Sequence, residues 1–117
     1  MGIRANVVVA GTTGDYTDNA WFNNRASDIA DLFEEYNIQY KYIYPKRKEL
    51  KRSEIAQAWA IKDTELKAII AILEESPDET HEYLKEAGYT NQQAADVFKS
   101  WMEQADKNSG LVRIHWF

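Results

Sequence analysis

The sequence predicts one α/β domain over residues 1–117: a small three-stranded sheet, mixed or parallel, covered by four or five helices. Three observations lead there. Residues 3–10, IRANVVVA, form a short β-branched run with consecutive apolar positions, the mark of a buried strand. Residues 38–44, IQYKYIY, alternate in character and end at Pro45, which cannot continue a ladder. Between them lies an apolar face at helical spacing. Strand, helix and strand in that order are a βαβ unit, whose two strands run parallel through a right-handed crossover.

The elements follow in order. The segment GTTGDYTDN, 11–19, is dense in turn-forming residues and reads as a loop. A helix then begins near Asn19 or Ala20, with Phe22, Ala26, Ile29, Ala30, Leu32 and Phe33 on its apolar face. It ends near Tyr36–Asn37, where Asn suits a left-handed exit. Ser53 is an N-cap for a helix that groups Ile55, Ala58 and Trp59. Asp63 or Thr64 restarts it, and Leu66, Ile69, Ile70 and Leu73 fall at i, i+3, i+4 and i+7. Pro77 stands in the first turn of the next helix, which runs through HEYLKEA and stops at Gly88. Thr90 and Gln93 form a capping box for a helix to about Asp106, with Ala94, Ala95, Val97, Phe98, Trp101 and Met102 facing inward. The segment LVRIHWF, 111–117, is a third strand with Val112, Ile114 and Trp116 on one face. Residues 53–106 thus form a helical block, and 3–10 is expected at the sheet centre.

Residues 83–98, YLKEAGYTNQQAADVF, resemble the first two helices and connecting loop of a ubiquitin-associated domain, with Ala87 ahead of the Gly88–Tyr89 turn. A glycine stop followed by a threonine cap gives any helix pair this form, so the resemblance assigns no function.

Composition narrows the chemistry. The chain has no cysteine, which excludes thiol nucleophiles, CxxC redox chemistry and cysteine–zinc sites. Its N-terminal apolar run is too short for a secretion signal and has no basic region in front of it, and no run approaches the ~20 apolar residues that span a bilayer. A cytoplasmic protein with no membrane partner is the expectation. Net charge is −5. Residues 1–52 hold eight basic and seven acidic side chains, and residues 53–117 hold six and twelve. That balance opposes general phosphate-chain binding.

No catalytic constellation or cofactor motif emerges, and no metal set. HEYLK, 81–85, misses the zinc signature HExxH because Lys85 stands where the second His must be. His115 alternates with Arg113 on the polar side of the last strand and reads as solvated or capped. The favoured expectation is a non-catalytic protein-binding domain, accessory or inhibitory, acting through an aromatic-rich surface. Its candidate anchors are Tyr16, Trp21, Trp116 and Phe117, because Trp and Tyr dominate interface energetics. The terminal strand 111–117 offers itself as an edge that a second copy could pair with.

Two alternatives are kept. Tyr40, Tyr42 and Tyr44 share one strand face ahead of Lys46, Arg47, Lys48, Lys51 and Arg52, a combination that could stack and neutralise single-stranded nucleic acid. Layer logic sets a row of that kind under a helix, with hydroxyls at the rim. The basic run needs an anion nearby, either the acidic helical block or an outside partner. The loop residues Gly11, Thr12, Thr13 and Gly14 could cradle a phosphate at a following helix N-terminus. They carry neither GxGxxG nor a Walker lysine.

Overall fold

The computed structural model describes residues 3–12, 15–43 and 57–117. Their order is β1 (Ala5–Val8), β2 (Tyr16–Trp21), α1 (Ala26–Glu35), β3 (Tyr40–Tyr42), β4 (Gln57–Lys62), α2 (Asp63–Glu74), α3 (Glu82–Lys85), α4 (Asn91–Met102) and β5 (Leu111–Trp116). The five described strands form one sheet in the order β2-β1-β5-β4-β3. Every neighbouring pair is antiparallel.

This corrects the expected three-stranded mixed or parallel sheet. β1 and β3 are not neighbours, because β5 and β4 stand between them, so these two strands form no βαβ unit with α1. β5 takes the central place expected of residues 3–10. Two further strands account for the difference. Residues 16–21 form β2, a hairpin partner of β1, where a loop and a helix start were expected; Val9 N–H donates to Asp15 O at 2.8 Å and closes the turn. Residues 57–62 form β4, where a helix from Ser53 was expected. In that strand Trp59 and Ile61 face one way while Ala58 and Ala60 face the other. Counting the alanines as apolar hid the period of two and left a false helical spacing.

Of the helices that follow, α2 and the start of α4 agree with the sequence, whereas Pro77 lies in a turn ahead of α3, which is only the single turn Glu82–Lys85, and α4 ends at Met102 and not near Asp106. Leu66, Ile69, Ile70 and Leu73 are the buried residues of α2. Thr90 caps α4: its Oγ1 accepts from Gln93 N–H at 3.2 Å, and Gln93 Oε1 accepts from Thr90 N–H at 2.9 Å. Two chain reversals share one geometry. Asn37, at φ 55°, ends α1 with Ile38 N–H donating to Phe33 O at 2.8 Å. Gly88, at φ 79°, ends the α3 turn with Tyr89 N–H donating to Leu84 O at 3.3 Å. A left-handed residue after the last helical turn satisfies orphan carbonyls in both places.

The four described helices pack on one sheet face. Ala5, Val7, Trp59, Ile61, Val112, Ile114 and Trp116 from the strands join Ile29, Leu32 and Phe33 of α1, the apolar rows of α2 and α4, and Leu84 of α3 in one core. Register places Asn6, Ala58, Ala60, Lys62, Leu111, Arg113, His115 and Lys41 on the opposite face. No helix of the described residues is long and apolar enough to cross a membrane.

Candidate protein-binding surface

The sheet register gathers two of the four candidate anchors. β1 and β5 stay paired past Trp116, because Arg4 N–H donates to Phe117 O at 2.8 Å and Phe117 N–H donates to Arg4 O at 2.9 Å. That ladder fixes Phe117 beside the start of β2, whose Tyr16 lies opposite Val8. The two rings meet with centroids 5.0 Å apart at a tilt of 52°. Both side chains are half-buried, so part of each ring faces solvent. The Tyr16 hydroxyl lies 2.7 Å from His115 Nδ1, and the two rings meet edge to face at 5.5 Å.

His115 is fully buried, which corrects its expected solvated position. An imidazole this deep needs a hydrogen bond to offset its desolvation, and Tyr16 supplies one. Next to it Arg113 donates from a terminal guanidinium nitrogen to Thr12 O at 3.0 Å, tying β5 to the β1–β2 turn. Phe117, His115 and Tyr16 with Arg113 therefore form one aromatic and polar patch. The alternation of Arg113 and His115 along the last strand was the available signal for it. The partner is hidden in the sequence, because β2 is written in turn-forming residues.

The other two anchors go elsewhere. Trp116 is fully buried, its ring 5.0 Å from that of Trp59, so it belongs to the core and not to a contact surface. Trp21 lies on the helix-bearing side, half-buried, with its ring 6.3 Å from Trp101. β5 pairs with β1 and with β4, so the C-terminal strand has no open edge for a second copy.

The tyrosine row divides. Tyr40 stands opposite Ile61 and Tyr42 opposite Trp59, so both share the core side of the sheet. Tyr40 packs beneath α1, with ring centroids 4.5 Å from Trp59 and 5.8 Å from Phe33. Burial, aided by its hydrogen bond to Tyr42, pushes its phenol up to about 12. Tyr42 extends past the helix and is 65% exposed. Tyr44, Lys46, Arg47, Lys48, Lys51 and Arg52 lie outside the described residues.

The loop proposed for phosphate is a hairpin turn. Thr12 spends its hydroxyl on Val9 O at 2.7 Å, and Gly11 takes φ 78°. The turn leads into β2 and not a helix, so the following N-terminus needed for that reading does not exist. Thr13 and Gly14 lie outside the described residues.

His81 illustrates how the chain uses its other imidazole. Nδ1 accepts from Tyr83 N–H at 3.2 Å, which leaves the proton on Nε2, 2.6 Å from Glu35 Oε2. With both nitrogens engaged, the ring ties the end of α1 to the start of α3 and has no lone pair left to act as a base. Nearby carboxylates include Glu35, Glu75 and Glu82; with burial as the leading cause, they hold the Tyr36 phenol above its ordinary value. Among the described residues no group of three or more His, Cys, Asp or Glu side chains is placed to hold a metal ion.

Compared with protein-family models, with curated proteins and with solved structures, the chain matched none.

Proposed function

We propose that this chain is a non-catalytic protein-binding domain, accessory or inhibitory to its partner, with Tyr16 and Phe117 as paired anchors. One observation carries the reading. Two aromatic side chains from opposite parts of the sequence meet at 5.0 Å, each partly open to solvent, on the face away from the helices. Paired aromatics with a polar handle are the usual energetic centre of an interface, where a truncated anchor costs about 2 kcal/mol or more of binding. The ladder at Phe117 and the Tyr16–His115 bond hold both rings in place before a partner arrives, which reduces the ordering cost of association.

The test is site-specific photo-crosslinking in cells of the source organism. A photoreactive phenylalanine analogue replaces Phe117, and a control replaces Lys67 on the exposed side of α2. A discrete protein adduct from position 117, lost on Tyr16→Ala and absent from position 67, is the expected result. The same adducts from both positions, or none from 117, would overturn the reading.

A second reading rests on Tyr42, 65% exposed beside Tyr40, as a stacking residue for single-stranded nucleic acid. Quenching by oligonucleotides that collapses with rising salt would favour it.

A further inference from the structure

Strands β3, β4 and β5 contain no acidic residue, and their three non-histidine cations, Lys41, Lys62 and Arg113, all occupy the face away from the helices. In a chain with 19 acidic and 14 basic side chains this is a marked local imbalance. Small residues separate the cations. Ala60 faces Lys41 on one side and Arg113 on the other, and Lys62 faces Leu111. Long side chains around a small one leave a trough, and one is present: a groove of about 510 Å³ whose lining includes Lys41, Ala60, Lys62, Thr64 and Leu111, with one carboxylate, Glu65, among them.

We propose that this groove binds a small phosphate monoester, its phosphate between Lys41 and Lys62 and its organic body over Ala60 and Leu111. Lys62 is the diagonal neighbour of Lys41 across the β3–β4 pair, a spacing of about 7–8 Å at the backbone that two lysine stems can close on one anion. Neither lysine has an ion-pair partner among the described residues. Arg113 instead reaches Thr12 O. Two ammonium groups match the near-double charge that a phosphate monoester carries at neutral pH, and lysine is an established phosphate partner as a point charge. The volume falls in the range of small-molecule sites, about 300–1,000 Å³. A longer polyanion fits less well. Glu65, one of the lining residues, is held by Gln39 N–H at 2.8 Å and would repel a phosphate chain running along the groove, and the net charge of −5 opposes the many phosphate contacts such a chain needs. The Thr64 hydroxyl, exposed on the same wall, can donate to a phosphate oxygen. This site is separate from the Tyr16–Phe117 patch and stands or falls independently of it.

The experiment follows backbone amide resonances of the full chain during titration with ribose 5-phosphate, adenosine monophosphate and inorganic phosphate, with sodium chloride at matched ionic strength as reference. Saturable shifts centred on Lys41, Lys62, Thr64 and Leu111 are expected, with at least one ester binding tenfold or more tightly than inorganic phosphate. The double variant Lys41→Gln with Lys62→Gln should weaken that binding at least tenfold while its spectrum keeps the native dispersion. Three results would overturn the proposal: shifts that do not saturate, saturation unchanged in the double variant, or inorganic phosphate binding as tightly as both esters.

Discussion

The hydroxyl of Tyr16 and Nδ1 of His115, 99 positions apart in the chain, lie 2.7 Å from each other and join β2 to β5 over the intervening β1. Removing the hydroxyl alone separates stability from recognition. Tyr16→Phe should lower unfolding free energy by about 1 kcal/mol, since a buried imidazole loses one hydrogen bond. Because the ring remains against Phe117, crosslinking at position 117 should persist in Tyr16→Phe and disappear in Tyr16→Ala. Urea denaturation of both variants checks the first half of this expectation.

Gly110 is the least replaceable glycine among the described residues. At φ 71° an added Cβ would lie 2.9 Å from Asp63 Oδ1, the atom that accepts from Thr64 N–H at 2.8 Å. Gly88 has a similar φ of 79° with nothing within 4 Å of an added Cβ. Gly88→Ala should therefore cost only the left-handed backbone penalty, about 1–2 kcal/mol. Gly110→Ala should exceed it by roughly 1 kcal/mol, because Asp63 must shift and give up its bond to Thr64 N–H at the start of α2. Thermal unfolding of the two variants side by side gives the comparison.

Asn91 is a buried polar residue in the first turn of α4. Its Oδ1 accepts from His81 N–H at 2.8 Å and its Nδ2 donates to Ser76 O at 2.9 Å, so one amide holds the chain between α2 and α3. Asn91→Ala should cost about 2 kcal/mol, through two part-buried backbone groups left without these partners. Faster hydrogen exchange should appear at His81 N–H specifically; unchanged protection there would mean the amide is not what holds this loop.

Alkaline titration should single out Tyr40. Burial is the main reason its phenol ionises near 12 in place of 10.0, with the Tyr42 hydrogen bond second. For an acid whose folded-state value is raised, the neutral form is the one favoured by folding. Its stabilising contribution is therefore complete below pH 10 and is lost as pH climbs toward 12. Phenolate absorbance should show a late-ionising step that Tyr40→Phe removes. The same variant should reduce the loss of stability between those two pH values.

The helix features that were legible in the sequence are those whose signals are local. Thr90 with Gln93, the row Leu66 to Leu73, and the left-handed exits at Asn37 and Gly88 each need only neighbours within a turn or two. The sheet was less legible. β2 reads YTDNAW, whose Thr, Asp and Asn carry turn signals, yet cross-strand pairing with β1 overrides them. In β4 Ala58, three positions after Ile55 and next to Trp59, imitates part of a helical row. Parallel topology followed from those two omissions, since a strand–helix–strand order without β2 and β4 leaves only a crossover. At the candidate surface, Tyr16 and Phe117 could be named from residue type, whereas their contact depends on β1 lying between β2 and β5. The groove was beyond reach for the same reason: Lys41 and Lys62 become neighbours only once β3 and β4 are paired.

The position of β5 has a bearing on how the chain is made. Among the described residues, the pairs β1–β2 and β3–β4 share no neighbour until β5 inserts between them. During vectorial synthesis the nascent chain therefore holds two half-sheets, each with a bare inner edge and an apolar side, for as long as β5 has not emerged. Such an intermediate is adhesive by construction, and its closure requires contacts across nearly the full sequence, which slows folding. Any condition that delays the emergence of β5 should therefore drive this protein toward aggregation more sharply than its folded stability would suggest.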